Sequence, residues 1–335
     1  MMCSLDRTAT PQTIIYQILV VIFVVTTLIV LSKYNKNILK HFFIASVATI
    51  IYDFFTAPLK FNLHLGQWGY IYHTVSWIFP LGFATMVILS AFLVDKYFSK
   101  SKELVKFAIS LSILVLFSLL VEKFIVVPLG IRSFPPETIS AFSSDRIKFL
   151  WNTPLLEILY LPVYLSLVLA FYKYFSLEVD NKLIVPVKKA KLLRNLFITF
   201  IGVLLFELTV GSMVNNKNFP EWSYIFKDIT LILTISWTIL VWSITHIIDK
   251  ILINDNIYER FFAYLTVITV LTTPAEAWLM QNGFREYSKT AVENFSGYII
   301  PLMNIPVEVV FGVPFYFALV IGFVKYITYC LDNKK

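Results

Sequence analysis

The chain has 335 residues, of which 58% are hydrophobic and only 15% are charged, and its mean hydropathy is +0.75. This balance excludes a soluble globular protein and predicts an integral membrane protein with many spans. The net charge of +7 comes from lysines beside apolar runs, so we expect it to face a membrane surface and we expect no nucleic-acid partner. Cys3 and Cys330 lie at opposite ends of the chain, which excludes a disulfide framework or a cysteine metal cluster.

Nine apolar runs of roughly 20 residues, the length that crosses a bilayer, follow one another along the chain. The predicted spans are 12–32, 41–58, 72–95, 105–127, 151–172, 194–213, 228–248, 260–280 and 301–324. The first run has neither a basic leader nor a small-residue cleavage site, so we expect it to be retained as a helix. The sequence therefore predicts an all-α, polytopic transmembrane helical bundle.

Lysine and arginine orient these spans, because cytoplasmic loops collect positive charge. If the N-terminus is outside, the inner segments hold 18 of the 28 basic residues and the outer segments hold 9. We therefore predict a multi-pass protein of the cell membrane whose N-terminus is outside and whose C-terminus is cytoplasmic.

The chain also matches itself when it is shifted by about 154 residues, a spacing typical of duplicated membrane proteins. Asp53 then aligns with Glu207, and Glu122 aligns with Glu276. Equivalent positions lie four spans apart, an even number, so both halves insert in the same direction and form a parallel tandem repeat of four spans per half. The predicted parts are an N-terminal transmembrane helix over 1–36, a first half over 37–175 and a second half with a cytoplasmic tail over 176–335.

Six carboxylates lie inside predicted spans, where a charge at the helix centre costs about 2.5–3.5 kcal/mol on insertion scales. They are Asp53, Glu122, Glu157, Glu207, Glu276 and Glu308. Each lies toward the outer end of its span, so we predict one polar layer near the outer face. Snorkelling or bundle packing explains any single acid equally well, but six acids at one depth favour a polar chamber.

The two acids of the second half have distinctive surroundings. Glu276 ends a row of threonines on one helical face, formed by Thr266, Thr269 and Thr273. Helix packing also explains such threonines. In the last predicted span Gly312 follows Glu308 by four residues, and we expect a gap beneath the acid that is bounded by the rings of Phe311, Phe315 and Tyr316.

The sequence Thr272-Thr273-Pro274-Ala275-Glu276, then Tyr287, then Ile305-Pro306-Val307-Glu308, resembles the membrane-integral lycopene cyclases of archaea, actinobacteria and fungi. Those proteins repeat a three-span domain with a T-T-P-x-D stretch, a downstream tyrosine and a P-x-E-E stretch that opens the next helix. The resemblance covers 230–328 and, more faintly, 75–175. It implies a carotenoid-modifying enzyme that closes ionone rings without net redox change, with the acids of the P-x-E-E stretch at its catalytic centre.

The chain departs from the family pattern at several places. Glu308 is followed by Val309, so the second acid is missing, whereas in the first half Leu156 precedes Glu157 and the first acid is missing. Arg285 stands where the family tends to have tryptophan. The spans at 41–58 and 194–213 are additional to the family layout.

Ring closure requires a proton on a terminal alkene, attack of a second alkene on the cation, and loss of a proton. We predict Glu308 as the proton donor, Glu276 or a water that it holds as the final acceptor, and Glu157 as the corresponding acid of the first half. Aromatic faces stabilise a passing cation by about 0.5–2 kcal/mol. The predicted substrate-binding residues are Thr273, Trp278, Arg285, Asn304, Pro306, Phe311 and Phe315. The expected partners are a lipophilic carotenoid or isoprenoid and membrane lipid, with no cofactor and no metal.

The second half is predicted to be the reactive one. Lys123 directly follows Glu122 and favours its ionised form, whereas Ala277 follows Glu276. Leucines of the first half, Leu119 and Leu156, occupy the positions of Thr273 and Glu308. We therefore expect the first half to be mainly structural.

Other functional classes fit less well. The four histidines lie at opposite ends of the spans, so an iron-dependent oxygenase is not favoured, and a Gly-x-Gly-x-x-Gly sequence for a nucleotide cofactor does not occur. Two alternatives stay open. One is a carotenoid hydratase of the same family, and the other is a proton-coupled transporter or lipid-binding membrane protein, which tandem repeats and a carboxylate layer also suit.

Overall fold

The computed structural model describes residues 6–135, 149–150, 153–182, 191–211, 213–253 and 256–333. Nine helices in this part of the chain are long and apolar enough to cross a membrane, and a tenth is short. They are α1 (Pro11–Ser32), α2 (Ile38–Thr56), α3 (Ile78–Tyr97), α4 (Glu103–Val121), α5 (Leu155–Val179), α6 (Leu192–Val210), α7 (Leu231–Ile251), α8 (Ile257–Gln281), α9 (Lys289–Glu293) and α10 (Val307–Asp332). A π-helical turn, Glu122–Val126, extends α4. The structure confirms the predicted all-helical, polytopic membrane class.

Short antiparallel strand pairs connect the described helices. The strands are β1 (Phe61–Asn62), β2 (Tyr70–Tyr72), β3 (Val75–Ser76), β4 (Arg132–Ser133), β5 (Phe149–Leu150), β6 (Thr153–Pro154), β7 (Val214–Asn216), β8 (Tyr224–Phe226), β9 (Ile229–Thr230), β10 (Arg285–Tyr287), β11 (Ile299–Ile300) and β12 (Ile305–Pro306). Neighbouring strands pair as hairpins, except that β1 pairs with β4 and β7 pairs with β10. These two pairs bring together segments that are about 70 residues apart in the sequence.

Four spanning helices, α3, α5, α7 and α10, begin later than the hydropathy pattern predicts, because a hairpin precedes each of them, and the delay is largest for α3 and α10. The β2–β3 hairpin turns through His73 at φ 44° and delays α3 to Ile78. The β11–β12 hairpin, with Asn304 at φ 51°, delays α10 to Val307. An asparagine tolerates this left-handed conformation better than most residues.

The described chain divides into two compact units, unit 1 over Met1–Tyr172 and unit 2 over Lys173–Lys335. In unit 1, α3 packs against α1, α2 and α4. The first turn of α1 is fixed by a capping box in which Thr10 and Thr13 bond each other's backbone N–H. The core of this unit includes Tyr52, Ile78 and Leu114, which are almost fully buried.

In unit 2, α6 packs against α7 and α10, and α8 packs against the same two helices. The close approach of α10 to α6 depends on Gly202, since a Cβ there would lie 3.2 Å from a ring carbon of Phe323. The N-terminus of α8 is capped by Asn256, whose side-chain oxygen accepts the N–H of Glu259 at 2.8 Å. The four helices α6, α7, α8 and α10 therefore form a packed frame for the polar groups described below.

Both units use the same order of elements. In each, a long helix leads through a short strand, a 3₁₀ turn and a hairpin into two further long helices, and the strand after the second of these pairs with the short strand. This order supports the repeat inferred from the sequence. The direction in which the halves insert and the predicted division at 1–36, 37–175 and 176–335 stay predictions.

Candidate functional site

Glu276 lies in the last turns of α8, and its carboxylate is bonded by the guanidinium of Arg285 and the hydroxyl of Tyr287. It is 4% exposed. Arg285 Nη1 donates to both carboxylate oxygens, at 3.0 and 2.7 Å, and the Tyr287 hydroxyl donates to Oε1 at 3.0 Å. Charge-assisted bonds of this kind stabilise the ionised carboxylate. Glu276 is therefore held on α8 by one buried cation and one hydroxyl donor.

The β7–β10 strand pair positions Arg285. In this pair Arg285 lies opposite Asn216, and its Nε donates to Asn216 Oδ1 at 3.0 Å. The Asn216 amide in turn donates to the carbonyl of Asp228 at 2.6 Å, which ties the pair to the β8–β9 hairpin. The β7–β10 sheet thus positions the guanidinium of Arg285 next to the carboxylate of Glu276, which lies within the α8 span.

The two groups around Glu276 that lie outside the spans have displaced pKa values. Burial by itself would lower the pKa of the Arg285 guanidinium, but the charge of Glu276 and the neighbouring Tyr287 outweigh it and raise that pKa above its ordinary value. Burial, and then the Glu276 charge, raise the pKa of the Tyr287 phenol well above 10. Arg285 therefore stays charged and Tyr287 stays a neutral hydrogen-bond donor around neutral pH.

A second buried acid, Glu207 on α6, belongs to the same cluster. It is 8% exposed, it bonds the hydroxyl of Thr234 on α7, and it interacts electrostatically with both Arg285 and Glu276. The sequence places Glu207 in the carboxylate layer but not among the predicted catalytic residues. Its alignment with Asp53 was the signal that pointed to it.

Glu308 lies in the first turn of α10 and is 7% exposed. Its Oε1 accepts the backbone N–H of Ser296 at 2.5 Å. The next residue, Val309, packs in an apolar cluster with Ala277, which directly follows Glu276 in the chain. The cluster is completed by Ile305, Met280, Tyr287, Phe295, Met303 and Val310. Both predicted acids of unit 2 are therefore chain neighbours of one apolar cluster, and that they face one cavity stays a prediction.

The other predicted site residues are spread over unit 2. Thr273 is buried, and its hydroxyl has no hydrogen-bond partner among the described residues. Trp278 is 55% exposed and stacks on Phe284 with ring centroids 5.5 Å apart, and Phe311 is 60% exposed. The remaining three are Asn304 in the β11–β12 turn, Pro306 in β12 and the half-buried Phe315 in α10. Trp278 and Phe311 thus lie on the exposed surface of unit 2 and not in its buried core.

Unit 1 contains a related cluster with more positive charge. Glu122 forms a buried ion pair with Arg132, and Arg132 Nε and Nη2 each lie 3.4 Å from Asn62 Oδ1. Asp53 accepts the backbone N–H of Ser76 at 3.1 Å and interacts with the buried Lys60. Arg132 is thus an ion-pair partner of Glu122, and the Nζ of Lys123, the next residue in the chain, lies 5.0 Å from the Phe124 ring centroid. The side chain of Glu157 lies outside the described residues.

A small cavity lies next to this cluster in unit 1. Its volume is ≈ 20 Å³. Since a water needs about 10–15 Å³, the cavity has room for a water and not for a polyene. It is lined by Tyr52, Thr56, Leu59, Lys60, Phe134, Tyr160, Leu161 and Tyr164.

A further charged cluster lies at the opposite ends of the helices that carry Glu276 and Glu308. Asp249 on α7 accepts hydrogen bonds from the Tyr264 hydroxyl on α8 and from Lys325 Nζ on α10. Arg260 Nη1 lies 3.9 Å from the same carboxylate. Within the described ranges, no group of three or more His, Cys, Asp or Glu side chains is placed to hold a metal ion.

The described parts of the candidate site are the paired acid Glu276, the second acid Glu207, and Glu308 at the start of α10. Comparison with known protein families, curated proteins and solved structures finds no match for this chain.

Proposed function

We propose that this integral membrane protein is an enzyme that acts on a linear carotenoid or a related isoprenoid, as the lycopene cyclases it resembles do. It would protonate a terminal alkene and close an ionone-type ring without net redox change. The observation that carries the proposal is the position of two buried acids, Glu276 and Glu308, beside one apolar cluster that contains the rings of Tyr287 and Phe295.

The two acids have different roles in this proposal. Glu308 delivers the proton to the alkene, because a carboxylic acid shielded from water holds a proton at neutral pH. Glu276 is kept ionised by Arg285 and Tyr287, so it is a fixed negative charge that stabilises a nearby carbocation and can take the final proton. The Tyr287 and Phe295 rings, whose centroids are 5.5 Å apart, add quadrupole attraction for the cation.

The test is to produce the protein in a bacterium that accumulates lycopene and to read pigment spectra and masses. We expect a cyclic carotenoid with the mass of lycopene. A mass gain of one water identifies the hydratase of the same family instead. Unchanged lycopene at confirmed membrane abundance contradicts the proposed activity.

A proton-coupled transporter is the second candidate, and the Asp249 cluster favours it. The helices α7, α8 and α10 carry Asp249, Tyr264 and Lys325 near one end, whereas Glu276 and Glu308 lie near the other. Ionisable groups at both ends of the same spans are typical of proton pathways. Proton uptake into liposomes that contain the protein, without any change of an added polyene, would favour this candidate.

We also propose that the protein lies in the cell membrane with its N-terminus outside and its C-terminus in the cytoplasm. The 18 basic residues of the inner segments, against 9 in the outer segments, support this orientation. A reporter that is active only in the cytoplasm should be active when it is fused after Asp332 and inactive when it is fused before Pro11. The reverse pattern contradicts the orientation and would place the carboxylate layer near the inner face.

A further inference from the structure

Unit 2 places two buried carboxylates beside one buried cation. Glu207 and Glu276 both interact with Arg285, whose side chain is 12% exposed. In unit 1 the corresponding acids, Asp53 and Glu122, interact with two cations, Lys60 and Arg132. Among these described groups the two acids of unit 1 face two cations, whereas the two acids of unit 2 face one, so the unit 2 group carries an excess negative charge if both acids are ionised.

The missing cation can be traced to a single position. Lys60 comes two residues before Asn62 in unit 1, and Val214 comes two residues before Asn216 in unit 2. The two asparagines are equivalent in their contacts, since each accepts from its unit's arginine and donates its amide to a backbone carbonyl. A valine thus stands in unit 2 where unit 1 has the lysine that compensates its second acid.

The hydrogen bonds of Arg285 decide which acid carries the negative charge. Nη1 donates to both oxygens of Glu276, and Tyr287 donates to the same carboxylate. Like charges in one buried cluster disfavour ionisation of a second acid. Glu276 is therefore the ionised acid, and Glu207 is the one that has no cation bonded to it.

The hydroxyl of Thr234 supplies independent support. Its oxygen lies within hydrogen-bonding distance of two acceptors, the carbonyl oxygen of Thr230 at 3.0 Å and Glu207 Oε2. A threonine hydroxyl has only one proton to donate. If Glu207 is protonated, it donates to Thr234, and Thr234 donates to the Thr230 carbonyl, so both contacts become hydrogen bonds.

We infer that Glu207 and Glu276 form a proton-binding pair that holds one proton at neutral pH, and that this proton is on Glu207. In the described part of the chain the pair interacts with Thr234 on α7, with Arg285 and Tyr287 on β10, and with Tyr316 on α10. The buried Tyr316 hydroxyl has no hydrogen-bond partner among the described residues and interacts electrostatically with Glu207. It is thus available as the next group in a proton path.

This proton site goes beyond the proposed reaction, and its test needs no polyene. Infrared difference spectra of the protein in lipid nanodiscs at pH 7 report the carbonyl stretch of a protonated carboxylic acid. The difference between the wild type and Glu207→Gln should contain this band, and the matched difference for Asp53→Asn should not. Glu276→Gln should also remove the band, because Arg285 then has Glu207 as its partner and ionises it.

Two variants change the charge balance and leave all four acids intact. Val214→Lys adds the second cation to unit 2 and should remove the Glu207 band, whereas Lys60→Met should create a new acid band from Asp53. The proposal is overturned if Glu207→Gln removes no acid band, or if the band persists in Glu276→Gln. The infrared bands do not depend on carotenoid turnover, so a failed cyclase assay would not contradict the proton-binding pair.

Discussion

Glu308→Gln is expected to abolish product formation while the protein remains folded in the membrane. The amide keeps the size of the side chain, and its carbonyl oxygen can still accept the N–H of Ser296. It cannot donate an acid proton to an alkene. General acid catalysis contributes about 10²–10⁴-fold, so we expect a loss of at least about 10²-fold in product formation.

Glu157→Gln is the matched control, because Glu157 belongs to the corresponding acidic stretch of the first half. We expect this variant to keep most of the activity. Product should be measured for both variants at equal membrane abundance in lycopene-producing cells. Full activity of Glu308→Gln, or an equal loss in the two variants, would show that the reactive half is assigned wrongly.

Arg285→Met is expected to cause the largest loss of stability. It leaves the carboxylate of Glu276, 4% exposed, without its cation. Removal of one partner of a buried ion pair costs about 3–5 kcal/mol, because the remaining charge is buried and unpaired. Unfolding of the purified protein in mixed lipid–detergent micelles, followed by denaturant titration, measures the change in the free energy of unfolding.

The double variant Arg285→Met with Glu276→Leu should regain much of this loss, since replacing both partners by apolar groups is often nearly neutral. Lys217→Met is the matched control, because Lys217 lies next to the same β7–β10 strand pair. Lys217 pairs with Glu286 at 2.5 Å, but the two side chains are 50% and 54% exposed, and exposed pairs contribute only about 0.2–1 kcal/mol. If Lys217→Met lowers the free energy of unfolding as much as Arg285→Met does, the buried pair does not stabilise the protein more than the exposed pair.

Hydropathy was sufficient to predict the spanning helices, because each run has the length and apolarity of a membrane crossing. The starts of α3 and α10 were not predictable in the same way. They depend on hairpins with strands of two or three residues, which are too short for an alternating pattern to reveal. The turn residues His73 and Asn304 adopt left-handed conformations that the surrounding sequence does not demand.

The candidate site was predictable only in part. The sequence singled out Glu276 and Arg285, but the link from Arg285 to Asn216 depends on the β7–β10 pair, which joins distant segments. In unit 1 the ion pair of Glu122 with Arg132 joins the end of α4 to β4, and the geometry of this pair depends on the pairing of β4 with β1.

The exposure of Trp278 has a simple geometric reason. It lies two residues after Glu276 on α8, about 200° around the helix, so the buried acid and the indole belong to opposite faces.

Glu207 is a residue whose role the local sequence did not indicate. It has no family motif around it, and its importance depends on the number of charges that the fold gathers around Arg285, which no local pattern contains.

The most direct test of the proposed chemistry is turnover of lycopene by the purified protein in liposomes prepared in heavy water. Protonation of the alkene by an acid that exchanges with solvent, followed by ring closure and loss of a different proton, leaves one deuterium in the product for each ring closed. We predict cyclic product with this label from the wild type and none from Glu308→Gln. Unchanged lycopene, or cyclic product without solvent deuterium, would contradict the account.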